Sequence, residues 1–482
     1  MQQLLDLLNS AYVDSVNIDS VQNGAINHII SHLDPYSTYL VPNEAARQTE
    51  ILDGTFEGIG MEYFNLRDTL LVVSLINNGP AEKAGFRVGD KLLRIDDKSV
   101  AGVNISQEEI EALIRGTRGT SVNIAIKRDD TELPTAIKVI RDQVTVRSLD
   151  VVYMIKPTVG YIKVRRFGIN TGEEFNTAIA ALKKQGAQKL ILDLRDNGGG
   201  YFHVAIKMAS AFFKDRRLVV YTEGAHETRQ DYFSDEGGGF ADGELAVLIN
   251  EQTASASEIV AGFVQDWDRG VIIGRRSYGK GIVQEQFGFS DGSTINLSIA
   301  RYFTPLGRSI QKKYTPNWSN MVDFNSMYSG LWALDTLYAH GQTYKTKAGK
   351  AVYSGGGILP DIQMPLDSSS FYGPYQQLIR YGLVDQFVYG RFTKKLPAYS
   401  IDNFLTGYNL PDYEYHKFID FVRAAGIVIP DRKKNDLREV IESDIEALVG
   451  RYYFGREAYF KVKNRSDVFV KRAIDHFNKA DG

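Results

Sequence analysis

The chain reads as a multidomain α/β protein, and three observations predict it. Its 482 residues exceed what one hydrophobic core usually holds and allow about three domains. Between residue 150 and about residue 310, short apolar strands alternate with amphipathic helices, the pattern of a layered α/β core. Residues 56–146 instead read as short strands joined by glycine turns, while residues 1–50 and 369–482 are helical in period.

Composition narrows the function classes. A hydrophobic fraction of 43% and a charged fraction of 24% are ordinary for a soluble globular protein. A net charge of -3 gives no reason to expect nucleic acid or an anionic membrane as partner. The chain has no cysteine, which excludes disulfides, thiolate zinc sites and cysteine nucleophiles and suits an oxidising envelope compartment. None of the seven histidines has a metal spacing and no HExxH occurs, so no metal or other cofactor is expected. Neither a signal peptide nor an apolar run long enough to span a membrane is visible.

In order, Leu4, Leu5 and Leu8, then Ala25, Ile26, Ile29 and Ile30, fall at helical spacings. Leu33-Asp34-Pro35-Tyr36-Ser37 breaks that pattern, because proline ends or turns a helix. Phe56-Glu57-Gly58-Ile59-Gly60-Met61 can present successive backbone N–H groups as a nest for a carboxylate. Gly79-Pro80-Ala81-Glu82-Lys83-Ala84-Gly85 and Val88-Gly89-Asp90-Lys91-Leu92-Leu93-Arg94-Ile95 follow, a long pattern that resembles PDZ domains. Ser106–Gly116 reads as a helix with a Ser106-x-x-Glu109 capping box and Ile110, Leu113 and Ile114 on one face. In a PDZ domain that helix would wall a peptide groove, with Met61 and Ile110 in its apolar pocket.

Gly160–Val164 is a strand, and Thr171–Gln185 a helix with a Thr171-x-x-Glu174 capping box and Gly186 as its stop. Leu190–Leu194 reads as a buried strand running into Arg195-Asp196-Asn197-Gly198-Gly199-Gly200. Three glycines before a helix let backbone approach a ligand closely. A phosphate loop is excluded, because no Gly-Lys-Ser/Thr follows. Asp193 and Arg195 read as a structural ion pair or loop anchor.

Leu245–Ile249 is another buried strand, and Ser255 follows it where a helix begins, with Ile259, Phe263 and Trp267 on one helical face. Free N–H groups and the helix dipole there can stabilise an anion. Lys280 stands between Gly279 and Gly281 after the strand Val271–Ile273, and in extended chain shares a face with Ile282 and Gln284. A serine needs a base to become a nucleophile, and a lysine with a usual pKa near ~10.4 serves only if burial lowers that value. The local pattern leaves a second reading open: Ser255-x-x-Glu258 is also a capping box, and Lys280 also fits a solvated turn.

TASASEI, followed by YGKGIVQ with Lys280 twenty-five positions after Ser255, resembles the Ser-Lys site of the carboxyl-terminal processing proteases, endopeptidases with a built-in PDZ domain. LDPYSTYL, DLRDNGGG, ARYFTP with GRSIQ, and GILPD match further motifs of that family in order, over roughly residues 30–365. Tyr36 stands where the family has histidine, and Gly198 where it usually has proline. The resemblance implies a protease core of crotonase-like or Clp-protease-like fold. It implies Ser255 as nucleophile, Lys280 as general base, Gln284 as its orienting partner, and the N–H groups of Gly199 and Ala256 as oxyanion donors. Ser257 and Glu258 match positions other than the nucleophile. It further implies that Gly58, Ile59, Gly60, Met61 and Ile110 bind a free, apolar peptide C-terminus.

The expected domains are an N-terminal helical region (1–50), the PDZ domain (51–146), the protease core (147–311), an insertion (312–356), a return segment of the core (357–368) and a C-terminal helical region (369–482). Protein or peptide substrates are the expected partners. A homo-oligomer, with dimerisation through the C-terminal region, and a regulatory partner stay open. By resemblance the compartment is the bacterial periplasm or envelope, with Met1 following a removed export segment. Two alternatives remain: a catalytically silent PDZ adaptor, and a tricorn-type hydrolase with a histidine base. For the latter His203 is the nearest candidate, and its other reading is a helix-surface or packing residue.

Overall fold

In the computed structural model, residues 2–313, 341–365, 373–392 and 399–480 are described. The chain divides into two units, one of residues 1–53 with 164–364, the other of residues 54–163 with 365–482.

The first unit is built on parallel strands Lys189–Asp193, Glu244–Ile249, Val271–Gly274 and Ile362–Gln363, side by side in that order. Leu190, Ile191, Leu192, Ala246, Val247 and Leu248 are fully buried, as their unbroken apolar runs require of strands covered on both faces. The helix Thr171–Lys184 buries Phe175, Ile179 and Leu182. Its start departs from the expected box. Asn170 is the cap residue, Thr171 lies in the first turn, and the Thr171 hydroxyl bonds the Arg166 carbonyl at 3.2 Å. Asp193 and Arg195 form the expected ion pair at 2.6 Å, with Asp193 fully buried.

An antiparallel sheet completes this unit. Its ten-residue strand Thr294–Phe303 pairs with Thr38–Leu40 at one end, Leu218–Glu223 at the other, and Ile282–Gly288 along its length. Thus the segment after Pro35, within the region expected to be helical, instead forms a strand and joins the sheet that carries Gln284. Of the insertion, residues 314–340 lie outside the described residues. Thr343–Lys345 and Ala351–Tyr353 form a hairpin, from which the Tyr353 carbonyl accepts a hydrogen bond from Arg308.

In the second unit, strands Met61–Asn65, Leu70–Leu75, Lys91–Ile95 and Ser121–Arg128 run antiparallel, and the helix Gln107–Ile114 starts with the complete Ser106/Glu109 box. Leu70-Leu71-Val72-Val73 is buried on both faces. Leu70 and Val72 join Ile59, Phe86, Leu92 and Ile110 in one core, while Leu71 and Val73 join Leu437, Ile441, Ile445 and Leu448 in another. Those last four residues sit on the helix Asp431–Phe454. The C-terminal helices therefore pack on the sheet of residues 54–163. Glu62 is held from that side by Arg451 at 2.6 Å and Arg456 at 2.9 Å.

Candidate active site

The turn after Glu244–Ile249 ends at Ser255, one residue before the helix Ala256–Asp266. Ser255 has φ 55° and ψ -117°, a backbone region that side-chain-bearing residues avoid and that surrounding structure must enforce. The Ala256 N–H, first of the helix, makes no hydrogen bond among the described residues. Both features suit a nucleophile presented above unpaired donors.

Asn197 fastens the glycine loop to this turn. Its carbonyl oxygen accepts the Ala254 N–H and the Ser257 hydroxyl, each at 3.0 Å, so Ser257 ties the two loops together. A β-carbon on Gly199, which has φ 101°, would stand 2.9 Å from Ser255 Cβ and 3.0 Å from Ala256 N. The glycine loop thus lies against Ser255 and the start of its helix. The Gly199 N–H, expected as an oxyanion donor, here donates to Asn197 Oδ1 at 2.9 Å, because the Asn side chain folds back over its own loop. The next N–H, that of Gly200, makes no hydrogen bond among the described residues. A β-carbon on Gly200 would run to 2.2 Å from the Phe167 carbonyl oxygen, so that position requires glycine.

Lys280 precedes Ile282–Gly288 and turns its amine to Gln284 Oε1 at 2.5 Å. Gln284 Nε2 donates to the Tyr36 carbonyl at 2.7 Å, which fixes the amide so that its oxygen faces the lysine. Burial pushes the Lys280 pKa below the ordinary lysine value, while the charges of Glu258 and Asp34 push it back up. The Tyr36 ring centre lies 5.5 Å from the amine, and the Tyr36 hydroxyl accepts from Gln311 Nε2 at 3.1 Å. Gln311 Oε1 in turn accepts the Gly281 N–H at 2.9 Å. Asp34 holds this segment by accepting the N–H groups of Tyr36 and Ser37 and the Ser37 hydroxyl, all at 2.7 Å. Among the described residues no hydrogen bond joins Lys280 Nζ to Ser255 Oγ; the amine rests on Gln284.

The main-chain N–H groups of Ser255 and Lys280 donate to the same Glu258 oxygen, which brings Ser255, Lys280 and Gln284 into one site, whereas His203 is exposed on the helix Phe202–Ala209. Sequence reasoning missed Tyr36 and Asp34. The proline break at Pro35 marked a turn, but nothing local could place it beside Lys280.

The second proposed site is a groove of about 510 Å³ beside the edge strand Met61–Asn65, lined by Ile59, Met61, Ile105, Ile110 and Ile114 among others. The N–H groups of Ile59 and Gly60 make no hydrogen bond among the described residues. The groove has an apolar floor, donors at one end and an unpaired strand edge, the features of strand-addition recognition.

Comparison with known proteins gives three family matches: Peptidase family S41 over residues 158–319, PDZ domain over 58–139, and a family of unknown function (DUF8443) over 374–455. A probable CtpA-like serine protease of Staphylococcus haemolyticus is 34% identical over 64% of this chain and 61% of its own length. One of Staphylococcus aureus is 33% identical over 65% of this chain and 62% of its own. The chain thus spans about three fifths of these relatives. The solved photosystem II D1 C-terminal processing protease is 24% identical, with 76% of this chain and 92% of that one covered at a TM-score of 0.39. With a PDZ match over residues 58–139 followed by an S41 match over 158–319, the chain is similar to CtpA-like serine proteases over the part of their length that it spans.

Proposed function

We propose that the chain is a serine endopeptidase in which Ser255 attacks a peptide carbonyl and Lys280 serves as general base. One observation carries the reading: a half-buried amine whose hydrogen-bond partner is the neutral amide of Gln284, in the same site as a serine held in a strained turn. An adjacent carboxylate bonded to the amine would keep it charged; an amide orients it without doing so.

Neutral Lys280 takes the Ser255 proton as Oγ bonds to the carbonyl carbon. The oxyanion is received by the Ala256 N–H and the glycine loop, through the Gly200 N–H, or through that of Gly199 once Asn197 releases it. Collapse breaks the C–N bond, and the Lys280 ammonium protonates the leaving amine. Lys280 then deprotonates a water, which hydrolyses the ester and regenerates Ser255. The groove beside Met61–Asn65 recruits substrates by an apolar C-terminus, with the nest at Ile59 and Gly60 taking the carboxylate. We place the enzyme in the bacterial envelope, as the family resemblance implies. The exposure of His203 weighs against a histidine base there.

The test is cleavage of an unfolded protein with an apolar C-terminus by wild type, Ser255→Ala and Lys280→Arg, all checked for folding. Arginine keeps the charge and cannot serve as a base. Only wild type should cut. Activity in Lys280→Arg would refute the base, and a silent wild type that still binds the C-terminus would favour the adaptor.

A further inference from the structure

Two buried side chains in this site have no part in the steps above. Glu258 and Tyr302 are 0% and 1% exposed. Glu258 Oε2 accepts the Ser255 N–H at 2.8 Å and the Lys280 N–H at 2.9 Å. Its Oε1 accepts the Ser277 hydroxyl at 2.5 Å and the Gly279 N–H at 2.7 Å. Ser277 Oγ also receives the Ile358 N–H at 2.6 Å, which brings the return segment into the same network. From the carbonyl side, the Tyr302 hydroxyl reaches Lys280 O at 2.7 Å and Ser255 O at 3.2 Å.

We infer that Glu258 and Tyr302 are positioning residues that hold the main chains of Ser255 and Lys280 in one frame, gripping the amide end of both and the carbonyl end of both. The inference rests on the Ser255–Lys280 reading and deepens it. A tyrosine hydroxyl has a single proton to give, so it holds both carbonyls only while the two stay close. Glu258 uses both oxygens twice, and a proton on either would face two donors. Burial raises its pKa, and the four hydrogen bonds oppose that rise. The carboxylate is therefore the form this network accommodates. Its charge lies near the lysine but bonds the Lys280 backbone rather than the amine, so it stabilises the ammonium formed during acylation without fixing the resting amine as a cation. The other ionisable groups facing the pair are Asp34 and Tyr36 from the N-terminal segment and Tyr278 from the lysine's own loop.

The test compares wild type, Tyr302→Phe, Glu258→Gln and Ser255→Ala in cleavage of the same unfolded protein. In parallel, Lys280 is titrated by NMR in chain labelled at lysine Cε, with its signal identified by Lys280→Arg. Misplacing reacting groups by about 1 Å costs about 10²-fold. Tyr302→Phe should lower kcat about 10- to 10²-fold with KM little changed and the lysine titration unmoved. Glu258→Gln should lower kcat at least as much and move the Lys280 midpoint down, because a neighbouring anion is gone. Mere loosening of the fold would admit water and move that midpoint up, which would overturn the charge role. Wild-type kcat in both variants would overturn the positioning role while leaving the protease reading intact. A wild type no more active than Ser255→Ala would sink the protease reading, and the direction of the Lys280 shift would then decide the Glu258 contact by itself. Should Glu258→Gln fail to fold, Tyr302→Phe, which deletes one oxygen, carries the positioning test.

Discussion

Arg308 and Asp266 form an ion pair with both side chains fully buried, at the far end of the helix that begins beside Ser255. Arg308 also donates to Gln265 Oε1 and the Tyr353 carbonyl, each at 3.0 Å, and Asp266 Oδ2 accepts the Leu306 N–H at 3.0 Å. Replacing Arg308 with methionine keeps most of the volume but strands the Asp266 carboxylate with that one N–H. A carboxylate at a helix C-terminus also meets the negative end of the dipole. Removing one partner of a buried pair costs about 3–5 kcal/mol, the penalty of the charge left behind. At about 2–4 °C per kcal/mol for a unit of this size, the midpoint should fall by about 6–20 °C. Urea and thermal unfolding followed by tryptophan emission, to which Trp267 next to Asp266 contributes, would measure it. The double variant Arg308→Met/Asp266→Leu should recover most of the loss, since two apolar groups leave no buried charge. A single-variant loss below about 1 kcal/mol, or a double variant no better than the single, would refute the argument.

Two further outcomes follow from the site and the groove. Lys280 has a lowered pKa in the folded state, so the unfolded chain binds that proton more tightly. Stability should then rise with pH between the folded and unfolded pKa, with the full penalty standing below the folded value. Lys280→Met should accordingly be inactive yet more stable than wild type at neutral pH in urea unfolding, its advantage shrinking towards pH ~10.4; an advantage independent of pH would contradict the burial argument. For recruitment, amidating the substrate's C-terminus removes the anion offered to the Ile59 and Gly60 N–H groups. Charge-assisted hydrogen bonds contribute about 1.5–3 kcal/mol, so KM should rise about 10- to 10²-fold with kcat held, and an unchanged KM would exclude this groove as the recruiting site.

Much of the architecture was legible because it depends on local pattern. Unbroken apolar runs marked Leu190–Leu194 and Leu245–Ile249, a 3.6-residue apolar spacing marked the helix after Ser255, and Gly200 stands where a β-carbon cannot fit. Ser255, Lys280 and Gln284 were legible as motif residues, and the Lys280–Gln284 spacing places both on one side of an extended segment. The hydrogen bond that takes Gly199's N–H depends on how the Asn197 side chain folds back, which spacing does not encode. Leu71 and Val73 likewise look like any strand interior until the C-terminal helices are seen covering them.

The sequence by itself determined which residue types could do the chemistry and where most core strands and helices lie, because periodicity and glycine requirements act within a few residues. Only the tertiary structure decided what surrounds the amine of Lys280. Tyr36 reaches it from 244 positions away in the chain, Gln284 is turned by a Tyr36 carbonyl, and Glu258 grips both main chains at once. The physical reason is that a lysine's basicity is set by desolvation and by charges a few ångströms away. Those neighbours are brought in by sheet pairing and packing between distant segments.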